Sequence, residues 1–424
     1  MKSPAKLGVR VPHDRSGRAA CPHAAAPWPK VRLEEICKTI TDGDHLAPPK
    51  TDSGIPFVTI SDIKNNKFDL SDTRFVPKAY YDGLDEKRKV RKGDVLYSVV
   101  GSYGIPVYAE SDLEIAFQRH IAILKAGDSI DSRFLFYSML NPAFYYSADN
   151  VAVGTAQKTV TLSALRNLEI PLPPLPIQQR IASVLGAYDD LIENNRRRIA
   201  LLEKMAGELY RERFVRRAGK GNSVTLGKIM SITRGLSYSS KEIDTEDGVN
   251  LINLKNIRSF GGFREEGTKK YSGDYKNAQV VQKGDLVMGV TDMTQDRRTV
   301  GAVALLPELE GESVISADLI KIDSELGNCF LFCMFCYGGV SSQVGQFATG
   351  ATVLHLRPQA VLDFSVTLPA REEVEAFESQ ISPLFEEQGN LLSQNRSLSR
   401  QRDRLLPRLM SGKIDVEALV KEEK

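Results

Sequence analysis

The sequence predicts an α+β fold, with two tandem α+β modules separated by two long helices that form an antiparallel coiled coil as a pseudo-twofold repeat. Three observations predict it. The chain is duplicated with a period near 195 residues, each copy holds strand-length apolar runs, and each copy ends in a seam of alternating three- and four-residue steps.

The duplication is explicit. Val31–Ile36 returns as Val224–Ile229, Gly54–Ile63 as Gly248–Ile257, and Val90–Leu96 as Val281–Val287. Solenoid repeats have periods of roughly 20–50 residues. The repeated unit here is a whole domain with an appendage.

Within the first copy, Pro56–Ile60, Val95–Val100 and Ile121–Leu124 have strand length and composition, punctuated by Gly and Asp. Arg91-Lys92-Gly93-Asp94 reads as a tight turn. A short helix from Ser132 to Leu140 stops at Asn141-Pro142, because proline disfavours helical backbone in the residue before it. The second copy repeats this order.

The helices after each module differ in kind. Seam positions fall at Ile181, Leu185, Tyr188, Ile192, Asn195, Ile199, Leu202, Ala206 and Leu209. In the second copy they fall at Phe377, Ile381, Leu384, Gln388, Leu391, Asn395, Leu398, Arg402, Leu405 and Leu409. This is coiled-coil spacing. The seams can be laid antiparallel with partner numbers adding to 590, which sets Ile181 against Leu409, Leu185 against Leu405 and Ile199 against Leu391. Registers seven residues apart fit nearly as well. Asn195 facing Asn395 selects one, since a buried amide opposite leucine lacks a partner. Helices of about 30–38 residues would be about 45–57 Å long, at ~1.5 Å per residue.

Bulk composition sets outer limits. A chain of 424 residues suits two or three domains, and 42% hydrophobic with 26% charged residues is ordinary for a globular protein. The net charge of +2 gives no global basic field, so nucleic-acid contact would need local patches. Five scattered cysteines make no disulfide framework, which points to a reducing cytoplasm. No apolar run approaches the roughly 18 residues needed to span a bilayer. Residues 1–29 are rich in Ala, Pro and basic side chains, and read as a disordered tail or a start assigned too early.

Two motifs suggest chemistry and are better explained by structure. Cys329, Cys333 and Cys336 have the spacing of a cluster-binding motif in radical enzymes. The repeat aligns the segment with the apolar helix around Phe134-Leu135-Phe136, so the cysteines read as small hydrophobes. Asn141-Pro142-Ala143-Phe144 approximates an amino-methyltransferase motif, but no Gly-rich cofactor loop accompanies it, and it reads as a helix-ending turn. No catalytic or metal-ligating set emerges.

Leu172-Pro173-Pro174-Leu175-Pro176-Ile177-Gln178-Gln179-Arg180-Ile181, followed by Leu191-Ile192-Glu193-Asn194-Asn195-Arg196, resembles the central conserved region of type I restriction–modification specificity (S) subunits. Leu405–Ile414 is similar to that family's C-terminal helix end. The second helix departs from the pattern, with Arg371-Glu372-Glu373 where the first has Leu175-Pro176-Ile177.

The resemblance implies target-recognition domains at 30–175 and 222–370, conserved helices at 176–217 and 371–412, and a tail at 413–424. It implies a non-catalytic subunit that reads an asymmetric, bipartite double-stranded DNA sequence. Two modification subunits would bring adenine methylation from S-adenosylmethionine. Restriction subunits would bring ATP- and Mg2+-dependent cleavage, and no cofactor would bind this chain. A scaffold without sequence preference and a stand-alone methyltransferase are the alternatives.

Base reading needs donors and acceptors, and phosphate anchoring needs cations and hydroxyls. In the first module the candidates are Thr41, His45, Lys64, Asn65, Gln118, Arg119, Gln157 and Lys158. In the second they are Arg234, Tyr238, Lys255, Asn256, Thr291, Arg297, Arg298, His355 and Arg357. Arg196-Arg197-Arg198 with Arg211, Arg213, Arg216 and Arg217 makes the first helix locally basic, which reads as a solvated face or as a contact for phosphate or an acidic partner.

Overall fold

Each copy is organised by a four-stranded antiparallel sheet that is apolar on both faces, which is why its strands read as continuous hydrophobic runs instead of alternating ones. The computed structural model describes residues 28–44, 48–71, 73–155, 157–216, 221–243, 247–414 and 416. The chain divides into two units, one running to Leu191 and resuming at Leu398, the other spanning Ile192–Ser397.

In the first unit the main sheet runs Cys37–Asp42, Ile121–Ala126, Val95–Ser98 and Pro106–Tyr108 in spatial order. Successive residues face opposite sides of a strand. Val95, Tyr97, Ala122 and Leu124 therefore join a core with the helix Ser132–Leu140. Leu96, Ile121 and Ile123 join another with Val58 and Phe117. Val58 and Phe117 belong to a three-stranded sheet of Arg74–Val76, Ile55–Val58 and Ala116–Phe117. Lys30–Arg32 pairs with Glu169–Pro171 and brings the two ends of the module together.

The second unit repeats this order. Its main sheet runs Ser231–Arg234, Leu319–Asp323, Leu286–Gly289 and Val303–Leu305. Its other sheet contains Lys269–Tyr271, Val249–Ile252, Ser313–Ile315 and Val280–Val281. Asn222–Thr225 pairs with Ser365–Leu368 at the module's base. The Lys-Gly-Asp turn serves the same purpose in both copies. Asp94 accepts from the Arg91 amide at 2.8 Å and pairs with Lys125 at 2.6 Å. Asp285 accepts from the Gln282 amide at 2.9 Å and pairs with Lys321 at 3.1 Å.

The long helices are Leu175–Tyr210, continued by a π-helical stretch Arg211–Arg216, and Arg371–Met410. Each contributes a segment to both units, and in each unit the segments run antiparallel. In the first, Ile181, Leu185 and Leu409 share a core with partly buried Leu405, and Arg402 pairs with Asp189. In the second, Asn195 Nδ2 donates to Asn395 Oδ1 at 3.0 Å, Arg198 pairs with Glu387 at 2.6 Å, and Gln388 donates to Glu203 at 2.8 Å. Asn195 is buried.

One polar side chain ties each module to its own helical segment. Gln178 is fully buried, accepts from the Asp131 amide at 2.8 Å, and donates to the carbonyls of Ser129 at 3.0 Å and Pro173 at 2.8 Å. It thus grips the start of the helix Ser132–Leu140, which Asp131 caps by accepting from Phe134 N at 2.9 Å. The equivalent helix Asn328–Cys336 begins after Gly327, which has no side chain to cap it. Glu378 supplies the cap instead, accepting from Phe330 N at 2.6 Å and Cys329 N at 3.4 Å. A Cβ on Gly327 would lie 2.3 Å from the Glu378 carboxyl carbon, and its φ of +89° favours glycine as well.

On the helix Asn328–Cys336, Phe330, Cys333 and Phe335 pack in the core. Burial pushes the Cys329 and Cys336 thiols up to about 12 and Cys333 higher still, which disfavours the thiolates that cluster ligation uses. Asn141 ends one helix and begins the next, Pro142–Val151, by accepting from Ala143 N at 3.2 Å.

Asn195→Leu should strand the Asn395 amide and lower the urea-unfolding midpoint by the equivalent of about 1–3 kcal/mol. The double change Asn195→Leu with Asn395→Leu should recover most of that loss, and no recovery would show that the amide pair is energetically idle. Glu378→Ala should cost about 1 kcal/mol, as other lost N-caps do, measured by thermal melting.

Candidate nucleic-acid interface

The loops that join the main-sheet strands bring several candidates together. In the first module, Val160 N donates to Val99 O at 2.8 Å and Gly101 N to Lys158 O at 3.0 Å, which seats the segment carrying Gln157 and Lys158 beside the turn after Val95–Ser98. Gly154 closes that segment with a φ of +101°, and a Cβ there would meet Gln157 O at 2.6 Å. Gln157 and Lys158 are exposed. Lys158 pairs with Asp149 at 2.7 Å, and Tyr103 donates to the same carboxylate. The Lys158 bond and then the Tyr103 bond hold the Asp149 carboxyl below its usual range. Tyr103 stacks on Tyr145, with centroids 5.9 Å apart.

Gln118 and Arg119 lie on the turn before Ile121–Ala126, at a cavity of about 300 Å³ that Asp44, Lys50, Phe57, Arg74 and Phe75 also line. Beside them, burial and the Arg119 charge hold the His120 imidazole below its ordinary value. That favours the neutral ring, which has one nitrogen to donate and one to accept. Lys64 is exposed and pairs with Asp69. Asn65 and Asn66 have φ of 51° and 59°. Two successive left-handed residues fit a type I′ turn, so this pair folds the hairpin of Ile63–Lys64 with Lys67–Phe68. His45 lies outside the described residues.

In the second module, Leu356 N donates to Val290 O at 2.8 Å, and Thr291 lies opposite His355 in a two-residue ladder. Asp292 is buried and organises the loop that runs on to Val300. Its carboxylate accepts from Thr294 N at 2.8 Å, Thr294 Oγ1 at 2.9 Å, Thr299 N at 2.7 Å and Val300 N at 3.4 Å. Burial raises this carboxyl, and the bonds from Thr299 and Thr294 together outweigh that, leaving it below its ordinary value. Within the loop, Gln295 donates to Ala351 O at 3.1 Å and Arg298 pairs with Asp296 at 2.9 Å. Arg297 has a φ of +53°, and its Nε is buried with no hydrogen-bond partner. His355 and Arg357 are exposed nearby in sequence, Arg357 preceding the helix Pro358–Leu362. Arg234 is exposed at a strand end, Lys255 is exposed on a short turn, and Tyr238 is half-buried.

Three candidates are interior, which corrects their reading as ready DNA contacts. Asn256 is fully buried, accepting from Asn253 N at 2.9 Å and donating to Arg264 O at 2.9 Å and Thr268 Oγ1 at 2.7 Å. Thr291 is buried and donates to Asp318 at 2.9 Å. Thr41 is buried in its strand, opposite Ile123. The polar groups of Asn256 and Thr291 hold the fold.

The arginine run is largely matched by acids. Arg197 pairs with Glu193 at 3.4 Å, Arg211 with Glu208 at 3.0 Å, and Arg216 with Glu212 and Glu208 at 3.2 Å each. Exposed pairs like these contribute little stability, and they dilute the local positive field. Arg217 lies outside the described residues.

Composition did not flag Asp292, Tyr103 or Asp149. The signal for Asp292 was in the repeat: three residues separate Val100 from Gly104, and nine separate Thr291 from Gly301. Among the described residues, no group of three or more His, Cys, Asp or Glu is placed to hold a metal ion, and no helix is long and apolar enough to cross a membrane.

Comparison with known proteins identifies the architecture. The family model of the type I restriction modification DNA specificity domain matches residues 26–204. The MjaIX specificity subunit of Methanocaldococcus jannaschii is 25% identical over 396 residues, covering 86% of this chain and 88% of that one. The HindI specificity subunit of Haemophilus influenzae is 21% identical, covering 91% of this chain and 99% of that one. The crystal structure of the S subunit of a type I restriction–modification system from M. genitalium superposes with a TM-score of 0.55 at 15% identity, over 91% of this chain and 96% of that one. Two α+β modules with paired long helices thus have a counterpart of the same fold, and along most of its length the chain is similar to type I restriction–modification specificity subunits.

Proposed function

We propose that this chain reads an asymmetric, bipartite double-stranded DNA sequence for a type I restriction–modification complex, with residues 30–175 and 222–370 as its two target-recognition domains. The single observation that carries this is the duplication: one scaffold, repeated, with different side chains on equivalent loops. Gln118 and Arg119 occupy the turn that Ser316 and Ala317 occupy in the second copy. The turns match because Gln118 N donates to Val58 O at 3.1 Å and Ser316 N to Ile252 O at 2.8 Å. Two readers with unlike loops suit two unlike half-sequences.

The helices of residues 176–217 and 371–412 set the length of the unread gap between the two half-sequences. They also carry the docking surfaces for two modification subunits. The chain contributes recognition and no catalysis. Modification subunits use S-adenosylmethionine to methylate adenine, and restriction subunits use ATP to cleave.

Single-molecule methylome sequencing of a host carrying the intact system should show a methylated-adenine motif with two short defined halves and a fixed gap. Deleting this chain should abolish that motif, and its persistence would refute the assignment. In gel shifts with the modification subunits, Lys255→Ala should weaken binding to all sequences alike and reduce the salt slope by about 0.9, as expected for one phosphate contact. Loss of discrimination at a single base would assign Lys255 to base reading instead.

A further inference from the structure

The two modules can be aligned residue by residue through their backbone hydrogen bonds. Gly104 N donates to Ser98 O at 2.9 Å and Gly301 N to Gly289 O at 2.8 Å, while Val160 and Leu356 donate to Val99 and Val290. These pairs fix the ends of one loop in both copies. Between the ends, the second module has nine residues where the first has three.

An insertion of polar loop residues would ordinarily be held by few contacts. This one is built around Asp292, whose buried carboxylate takes hydrogen bonds from both arms of the loop, Thr294 on one side and Thr299 with Val300 on the other. Gln295 ties the tip to the neighbouring segment at Ala351. The loop is therefore ordered without a ligand. It also leaves one need unmet. Arg297 sits in left-handed backbone, uncommon for a residue with a Cβ, and its Nε is buried without an acceptor. Burying the Nε unpaired is unfavourable, while Arg297 as a whole stays partly exposed.

We infer that Asp292–Val300 is a base-reading element of the second module, in which Arg297 meets a guanine edge and Asp292 is the positioning residue that holds the loop in its reading conformation. Arginine is the common partner of the guanine O6 and N7 acceptors in the major groove. Arg298 is already paired with Asp296, which leaves Arg297 as the arginine of this loop that lacks a full set of partners. The inference rests on the proposed DNA-reading function. It adds which segment reads, by which residue, and in which module.

The test uses the full chain assembled with its modification subunits, with methylome sequencing and binding to a panel of single-base variants of the motif. Arg297→Ala should lower discrimination at one guanine in one half by about 5- to 150-fold, the equivalent of one lost bidentate contact, and leave the other half unchanged. Asp292→Asn should relax the same position with Arg297 still present, and Arg297→Lys should restore only part of the discrimination. An unchanged motif in Arg297→Ala overturns the inference, and so does weakening that is uniform across sequences, which would mark a phosphate contact. If Asp292→Asn does not fold, Arg297→Ala still decides. A wild-type complex that yields no bipartite motif would instead overturn the DNA-reading function itself, so the two failures are distinct.

Discussion

Each module is fixed to its own helical segment by one polar side chain, fully buried at Gln178 and partly buried at Glu378, and the placement of the main sheet follows from that attachment. Gln178 and Glu378 are not equivalent in sequence, yet both bind backbone amides at the start of the helix that covers the main sheet. Leaving those amides unsatisfied would cost more than an apolar contact returns, so the geometry of the side chain that binds them is tightly specified. That helix packs on one face of the sheet, and the strands of the sheet end in the loops that carry the candidate residues. Orientation thus passes from helix to sheet to loop through rigid, close-packed elements.

Much of this was legible in the sequence, for a physical reason. Burial on both faces makes Val95–Val100 (apart from Ser98) and Ile121–Leu124 apolar, and proline at 142 ends the helix that precedes it. The helical seams are legible because burial of a narrow stripe imposes its spacing on composition. Polar loop residues carry no such imprint. An asparagine that caps, one that turns and one that reads DNA look alike in sequence, and here Asn256 is a buried cap while Asn65 and Asn66 form a turn. Lys158, a candidate for DNA contact, is paired with Asp149. In each case the deciding fact is the partner, and partners distant in sequence cannot be read from the residue itself.

The repeat supplies what a single sequence otherwise lacks, an internal comparison. Where the two copies agree, as in the Asp94–Lys125 and Asp285–Lys321 pairs, the feature serves the scaffold. Where they differ on matched backbone, the scaffold cannot be the reason for the difference. By this standard the capping of the two sheet-covering helices is a change of means with the same end: Asp131 caps one, and Glu378 caps the other where Gly327 cannot. The loop lengths between Val100 and Gly104 and between Thr291 and Gly301 differ with no such compensation.

The buried Asp292 therefore needs an explanation that fold stability does not supply, since the first module closes the same connection with three residues and no buried acid there. A longer loop loses more conformational entropy on ordering, and a chain that orders it in the free state bears that cost before any ligand arrives. The return comes at binding. A loop already ordered does not have to be ordered again, so contacts to the ligand appear in full as affinity and, when they fall on base edges, as discrimination. A flexible loop could adapt to a wrong base and recover part of the lost contact. Four hydrogen bonds onto one carboxylate remove that freedom, and a reader must refuse the wrong sequence as firmly as it accepts the right one.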